Sequence, residues 1–311
     1  MSNPREISTS VHAGTDEVTA PSVTPLKRTL KALLADRLAL TGLIITAILI
    51  LAAVLAPLIA PQNPYDLAQL DIMDGRLAPG GESMTGSTYL LGTDDQGRDL
   101  FSAILYGLRT SILVGLVSAA VALVIGASVG LLSAYSGGRT DAILMRIVDI
   151  QLSFPSILIA LIFLAILGQG VDKIIIALVV TQWAYYARTV RGSALVESKR
   201  AYIEAARAMA LPDRSIIFRH ILPNCLPPLI VVATMRVAYA IMLEATLSFL
   251  GIGLPVTEPS LGLLISNGFE YLLSGDYWIS FFPGLTLLLL IVGINLIGDA
   301  LRDILNPRRE G

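Results

Sequence analysis

Tyr202-Ile203-Glu204-Ala205-Ala206-Arg207-Ala208-Met209-Ala210 is followed by Leu211-Pro212-Asp213 and then by Arg219-His220-Ile221-Leu222-Pro223-Asn224. This charged stretch is wedged between long apolar segments, yet it is written as helix rather than as linker. Ala, Glu, Arg and Met are strong helix formers, which predicts a helix over 201–210. Pro212 forbids its continuation, and Asp213 suits the cap of a second helix starting near residue 214. Pro223 is expected to end that second helix. An ordered helix-turn-helix in a water-facing loop either docks another molecule or is an amphipathic connection between spans, and spacing alone leaves both readings open.

The surroundings of this stretch are strongly apolar. Apolar residues make up 54% of the 311 residues and charged residues 15%, against about 25% charged in ordinary soluble domains. With a mean hydropathy of +0.72, the chain reads as an all-α integral membrane protein. A net charge of −2 offers no basic field for nucleic acid. Cys225 is the only cysteine, which rules out an intrachain disulfide and a multi-cysteine metal cluster. It reads as a small buried apolar residue.

A membrane span needs about 20 mostly apolar residues. Six spans are predicted, over 38–60, 110–134, 150–167, 174–190, 226–250 and 281–301. The fourth is the weakest, diluted by Gln182, Trp183, Tyr185 and Tyr186, whose aromatic members suit a headgroup belt. The first begins too far from Met1, and runs too long, for a cleaved signal peptide.

Orientation follows from Lys and Arg placement. With the N-terminus inside, Lys27, Arg28, Lys31, Arg37, Arg139, Arg188, Arg191, Lys199, Arg200, Arg207, Arg214, Arg219, Arg308 and Arg309 fall on the cytoplasmic side. Only Arg76, Arg98, Arg109 and Lys173 fall outside, with most of the acids. Both termini and the Glu204 loop are therefore expected in the cytoplasm.

Residues 1–25, rich in Ser, Thr and Pro, read as a disordered cytoplasmic tail. Over 26–37, Leu26, Leu30, Leu33 and Leu34 recur at helical spacing among basic residues, which predicts an interfacial amphipathic helix on the lipid surface. The first span, 38–60, is closed by Pro57, Pro61 and Pro64, and an external segment occupies 61–106. A five-helix core follows over 107–305, including the cytoplasmic loop 197–224, and a short tail covers 306–311. Residues 137–141 are expected as the inner turn between the second and third spans, and 167–172 as the outer turn after the third.

Three motifs carry a resemblance. Glu204-Ala205-Ala206, then Ala210, then Leu222-Pro223 resembles the EAA loop of binding-protein-dependent ABC importer permeases, with Ala210 where Gly is usual and His220 in an Ile slot. Gly92-Thr93-Asp94-Asp95-Gln96-Gly97-Arg98-Asp99, then Tyr106-Gly107-Leu108-Arg109-Thr110-Ser111, is similar to a stretch of the C-type permease of dipeptide and oligopeptide importers. So is Glu244-Ala245-Thr246-Leu247-Ser248-Phe249-Leu250-Gly251-Ile252-Gly253. The resemblance spans about 26–306 and implies a type I ABC importer permease-like bundle. It implies a B-type permease as heterodimer partner, two ATPase subunits and an external solute-binding protein, in a bacterial inner membrane. The usual cargo of such systems is di- or oligopeptides, though relatives carry nickel complexes, glutathione or opines. The resemblance also assigns Glu204, Ala205, Ala206, Ala210, Pro212 and Asp213 to coupling with the ATPases.

Enzymatic motifs are missing. No Gly-x-x-x-x-Gly-Lys-Ser/Thr, His-Glu-x-x-His or Gly-x-Ser-x-Gly occurs, so no catalytic residue, metal or cofactor is expected and ATP hydrolysis falls to other subunits. The two histidines are His12 in the tail and His220 in the loop, the latter read as helix packing beside Pro223. Polar residues inside spans are costly and normally face protein or water. Gln182, Arg236 and Glu244 are thus candidates for the translocation path or gate, with an interhelical hydrogen bond as the other reading of Glu244. Asp149 fits a local pair with Arg146. Asp94, Arg98 and Asp99 either tie the external loop together or contact an external partner or gate. A stand-alone secondary transporter would instead favour inverted repeats and a midplane ion site, and the sequence offers no clear repeat.

Overall fold

The computed structural model describes residues 25–66, 70–83, 86 and 88–305. The tails expected over 1–25 and 306–311 lie outside these residues, apart from Pro25. Among the described residues there is no strand, only the isolated bridges Glu82–Thr88 and Thr93–Asp99.

A short amphipathic helix, α1 (Pro25–Ala35), leads into α2 (Arg37–Ile59). The junction is Asp36, whose carboxylate accepts from the Leu38 and Ala39 amides at 2.8 and 3.1 Å. An N-cap of this kind satisfies two orphan donors and turns the chain from one helix into the next.

The segment expected over 61–106 is shorter, because a helix begins at Leu100. Asp99 caps α3 (Leu100–Ser136), its carboxylate accepting from the Ser102 amide at 2.9 Å. The 37 residues of α3 give a rod of about 55 Å, longer than the roughly 30 Å hydrocarbon layer. At its far end Gly137 and Gly138 take φ of 59° and 51°, a left-handed turn that suits glycine. Helix α4 (Gly138–Ser153) starts at once, so the expected inner turn 137–141 is shorter than its motif suggested.

The third span is not one straight helix. α4 and α5 (Ser156–Leu167) meet at 89°. Pro155 has no N–H to continue the ladder, and it pushes Phe154 into the extended region (φ −97°, ψ 142°). Among the described residues four helices are by themselves long and apolar enough to cross a membrane, or five where the bent pair counts as one span. Helix α6 (Val171–Glu197), which covers the fourth predicted span, has the length but not the apolarity.

The loop expected over 197–224 begins with α7 (Ala201–Ala208). Its second helix does not stop at Pro223. α8 (Asp213–Ser215) passes through a π-helical turn, Ile216–Ile221, into α9 (Leu222–Phe249), and Asp213–Phe249 is one continuous rod. A proline ring in a regular α-helix collides with the carbonyl four residues back. Here the preceding turn is wound wider, with the Leu222 amide donating to Ile217 O, and the helix runs on. Helices α10 (Leu261–Phe269) and α11 (Trp278–Ile304) complete the chain.

Among the described residues, the most extensive helix pair is α3 with α6. A Cβ on Gly126 would lie 2.3 Å from Trp183 O, and one on Gly130 would lie 2.5 Å from Ala187 O. Two glycines one turn apart let the backbones touch, which is how helices gain packing in a lipid solvent that supplies no hydrophobic drive. A buried cluster gathers Leu131, Tyr186, Val190, Ile203, Ala206, Ile216, Ile221 and Leu229, and so seats the α7 loop on α3, α6 and α9.

Candidate functional site

The loop that carries α7 is anchored by one face and offers another. Ile203 and Ala206 are buried, whereas Tyr202, Glu204, Ala205, Arg207 and Met209 are exposed, Met209 at 69%. Of the three residues Glu204-Ala205-Ala206, the structure therefore brings Ala206 into the chain's own core and leaves Glu204 and Ala205 on the surface. Helix α7 ends in a Schellman turn: Leu211 N–H donates to Ala206 O at 3.2 Å and Ala210 N–H to Arg207 O at 2.9 Å. Ala210 takes φ 55° to make it, one of two non-glycine residues with positive φ among the described residues.

Pro212, not Asp213, holds the cap position of α8, and no side chain caps that helix. The Asp213 carboxylate is used sideways and accepts from the Tyr135 hydroxyl at the end of α3. Arg207 lies 5.6 Å above the same tyrosine ring. Tyr135 thus ties both halves of the loop to the core, a role that no sequence motif signalled. On the other flank the Tyr202 hydroxyl donates to Glu197 and accepts from Asn224 Nδ2 at 3.0 Å. Burial, with the Glu197 carboxylate beside it, pushes the Tyr202 phenol up to about 12, so it stays a neutral donor. The His220 ring lies 6.2 Å from that of Tyr202.

Two ion pairs join α4 to α6 near this surface. Arg191 grips Asp141 with Nε at 2.5 Å and Nη2 at 2.6 Å, and Ser133 donates to the same carboxylate. Asp149 pairs with Arg188 of α6 rather than with Arg146 of its own helix. The α4–α6 packing brings a guanidinium from across the bundle to a carboxylate that local spacing had assigned to the next turn.

Within the core, Glu244 of α9 is fully buried and accepts from Ser111 Oγ of α3 and Ser248 Oγ, both at 2.8 Å. Arg236 does not meet it. The Arg236 guanidinium lies 3.4 Å above the centre of the Tyr185 ring of α6 and 5.2 Å from that of Tyr239. Gln182 is fully buried one turn before Tyr185 and Tyr186, and both of its amide atoms lack a partner, as does the Tyr186 hydroxyl.

At the opposite end of α3 from the α7 loop, Asp94, Arg98 and Asp99 come together and are buried. Arg98 Nε donates to Asp94 Oδ2 at 2.8 Å, and Arg98 Nη1 reaches Val256 O at 3.2 Å in the loop after α9. The Asp99 amide donates to Gln62 Oε1 at 2.7 Å. Burial and the neighbouring Asp94 charge push the Asp95 carboxyl above the usual range. These contacts tie the segment before α3 to the start of that helix and to the loop after α9. Among the described residues no group of three or more His, Cys, Asp or Glu is placed to hold a metal ion.

A bent, glycine-packed bundle of apolar helices with an ordered loop between α6 and α9 is the frame that holds these residues. Residues 123–311 match the binding-protein-dependent transport system inner membrane component, and residues 24–79 match the N-terminal domain of oligopeptide transport permease C. The chain belongs to this family of inner-membrane permeases. Its relatives include a dipeptide transport system permease protein of Alkalihalophilus pseudofirmus, 38% identical over 95% of this chain and 93% of the relative. Another is a di/tripeptide transport system permease protein of Pseudomonas aeruginosa, 36% identical over 91% and 92%. Among solved structures, an inward-facing form of the MetNI methionine ABC transporter is similar, with 25% identity, a TM-score of 0.54, and coverage of 65% of this chain and 96% of that one. The chain is thus a multi-pass permease subunit of an ABC importer and not an enzyme; ATPase subunits and a solute-binding protein complete such a machine.

Proposed function

We propose that this chain is the C-type half of a peptide importer. It pairs with a B-type permease, crosses the membrane six times with both termini in the cytoplasm, and carries di- or oligopeptides delivered by an external binding protein. The observation that carries this reading is the split loop. Ile203 and Ala206 anchor α7 to the core while Glu204, Ala205 and Met209 face outward, and Asp213–Phe249 runs unbroken from that surface to Arg236 and Glu244. Displacement of the loop by an ATPase therefore moves the helix that holds the core polar residues. The buried Asp94–Arg98 pair serves this mechanism as a fixed outer brace, and Gln182 stands with Arg236 among the candidates for the path.

The reading is tested by co-expression. The chain should co-purify with a B-type permease and ATPase subunits, and the reconstituted complex with its binding protein should take up labelled dipeptide on ATP addition. In a Cys225→Ala background, cysteines at positions 198 and 257 should react with an impermeant maleimide from opposite sides. Reaction of both from outside intact cells refutes the six-span orientation.

A further inference from the structure

We propose that Arg236 is the anion-recognition point of the translocation path and that its ligand is the carboxylate of the passing solute; this rests on the peptide-importer reading above. Arg236 lies near the middle of α9 (Leu222–Phe249), at the depth where a cation is most costly in lipid and so marks a path, a partner or a counter-ion. Among the described residues it forms no ion pair with any carboxylate. The acid on the same helix, Glu244, lies about 12 Å further along and is already held by Ser111 and Ser248.

What holds Arg236 is aromatic. Its guanidinium carbon sits 3.4 Å from the centre of the Tyr185 ring, with Tyr239 at 5.2 Å. Contact with ring faces stabilises the charge without using an N–H bond. The in-plane edge of the guanidinium therefore remains for an acceptor, and its fork matches a carboxylate two bonds at a time. Arg236, Tyr185 and Tyr239 are all half-buried, so the group is fixed in direction and still reachable. A peptide carries its C-terminal carboxylate whatever its side chains, so one such contact serves a cargo of variable sequence. The tyrosine rings then bear on the apolar part of the solute.

The experiment uses the complete importer with its binding protein in proteoliposomes and a labelled free-acid dipeptide. Cys225, the only cysteine of the chain, is replaced by Ala, and Arg236→Cys and Arg236→Gln are introduced separately. Both variants should co-purify with the partner subunits, and uptake should fall about tenfold, the loss expected for one charge-assisted contact. Aminoethyl methanethiosulfonate, which rebuilds a cation at the cysteine, should restore most of the uptake; the sulfonatoethyl reagent, which adds an anion, should not. Wild-type uptake by the unmodified cysteine variant overturns the proposal, as does equal rescue by both reagents. Loss of co-purification in both variants overturns it in favour of a contact with a neighbouring subunit. Wild-type vesicles that assemble but take up no peptide overturn the cargo reading and the inference with it, a result distinct from the others.

Discussion

The Ser111 hydroxyl of α3 donates to the Glu244 carboxylate of α9 at 2.8 Å inside a site closed to solvent. Ser248, one turn beyond Glu244, donates to the other carboxylate oxygen. The carboxylate is thus a clasp between two helices. Glu244→Gln keeps an acceptor for one serine and a donor for the other, and should assemble and transport close to wild type. Glu244→Leu leaves two buried hydroxyls without acceptors and should cost about 1–3 kcal/mol, read as a lower melting temperature of the detergent-solubilised subunit. A silent Leu variant would remove the clasp.

Loop substitutions should separate by the face they touch. Glu204 is exposed, so Glu204→Lys should leave the subunit's melting temperature unchanged while reducing ATPase co-purification. Ala206 is 3% exposed and packed in the chain's own core. Ala206→Asp buries an unpaired charge and should destabilise the subunit itself by about 3–5 kcal/mol. Equal thermal stability of the two variants would refute the split.

Ala210 holds φ 55° at the end of α7. A side chain in the left-handed region costs about 1 kcal/mol relative to Gly. Ala210→Gly should slow amide hydrogen exchange across 201–211 several-fold without changing the fold. Faster exchange in the Gly variant would show that the turn is not held this way.

Close contact between α3 and α6 should tolerate no methyl. A Cβ at Gly126 would stand 2.3 Å from Trp183 O and 2.5 Å from the Tyr186 Cβ. Gly126→Ala should lower stability by about 1–3 kcal/mol through forced separation of the helices. Gly284, whose Cβ would meet nothing within 4 Å, is the control, and Gly284→Ala should melt with the wild type.

Features that depend on neighbours in the chain were legible in the sequence. The membrane class, the helical loop and the amphipathic α1 all follow from composition, propensity or short spacing. Pro155 carried an equally local signal for the 89° break between α4 and α5, but the apolar run around it reads as a single span when only hydropathy is summed. Pro223 misled in the opposite sense, because a π turn before it absorbs the ring. Which face of α7 turns inward was not legible, since Ala205 and Ala206 are alike in size and polarity and only the packing of Ile216 and Ile221 against Ala206 distinguishes them.

The sequence by itself determined that this chain lives in a membrane, that it carries a structured loop rather than a catalytic site, and that Arg236, Glu244 and Gln182 must find shelter from lipid. Only the tertiary structure decided what that shelter is. Ser111 and Glu244 are 133 positions apart, Arg98 and Val256 are 158 apart, and Arg191 and Asp141 are 50 apart. No local pattern encodes such pairs, because they exist only after helices of fixed phase have packed. The same packing gives Glu244 a pair of serines and leaves Arg236 on two tyrosine rings, with no carboxylate paired to it among the described residues.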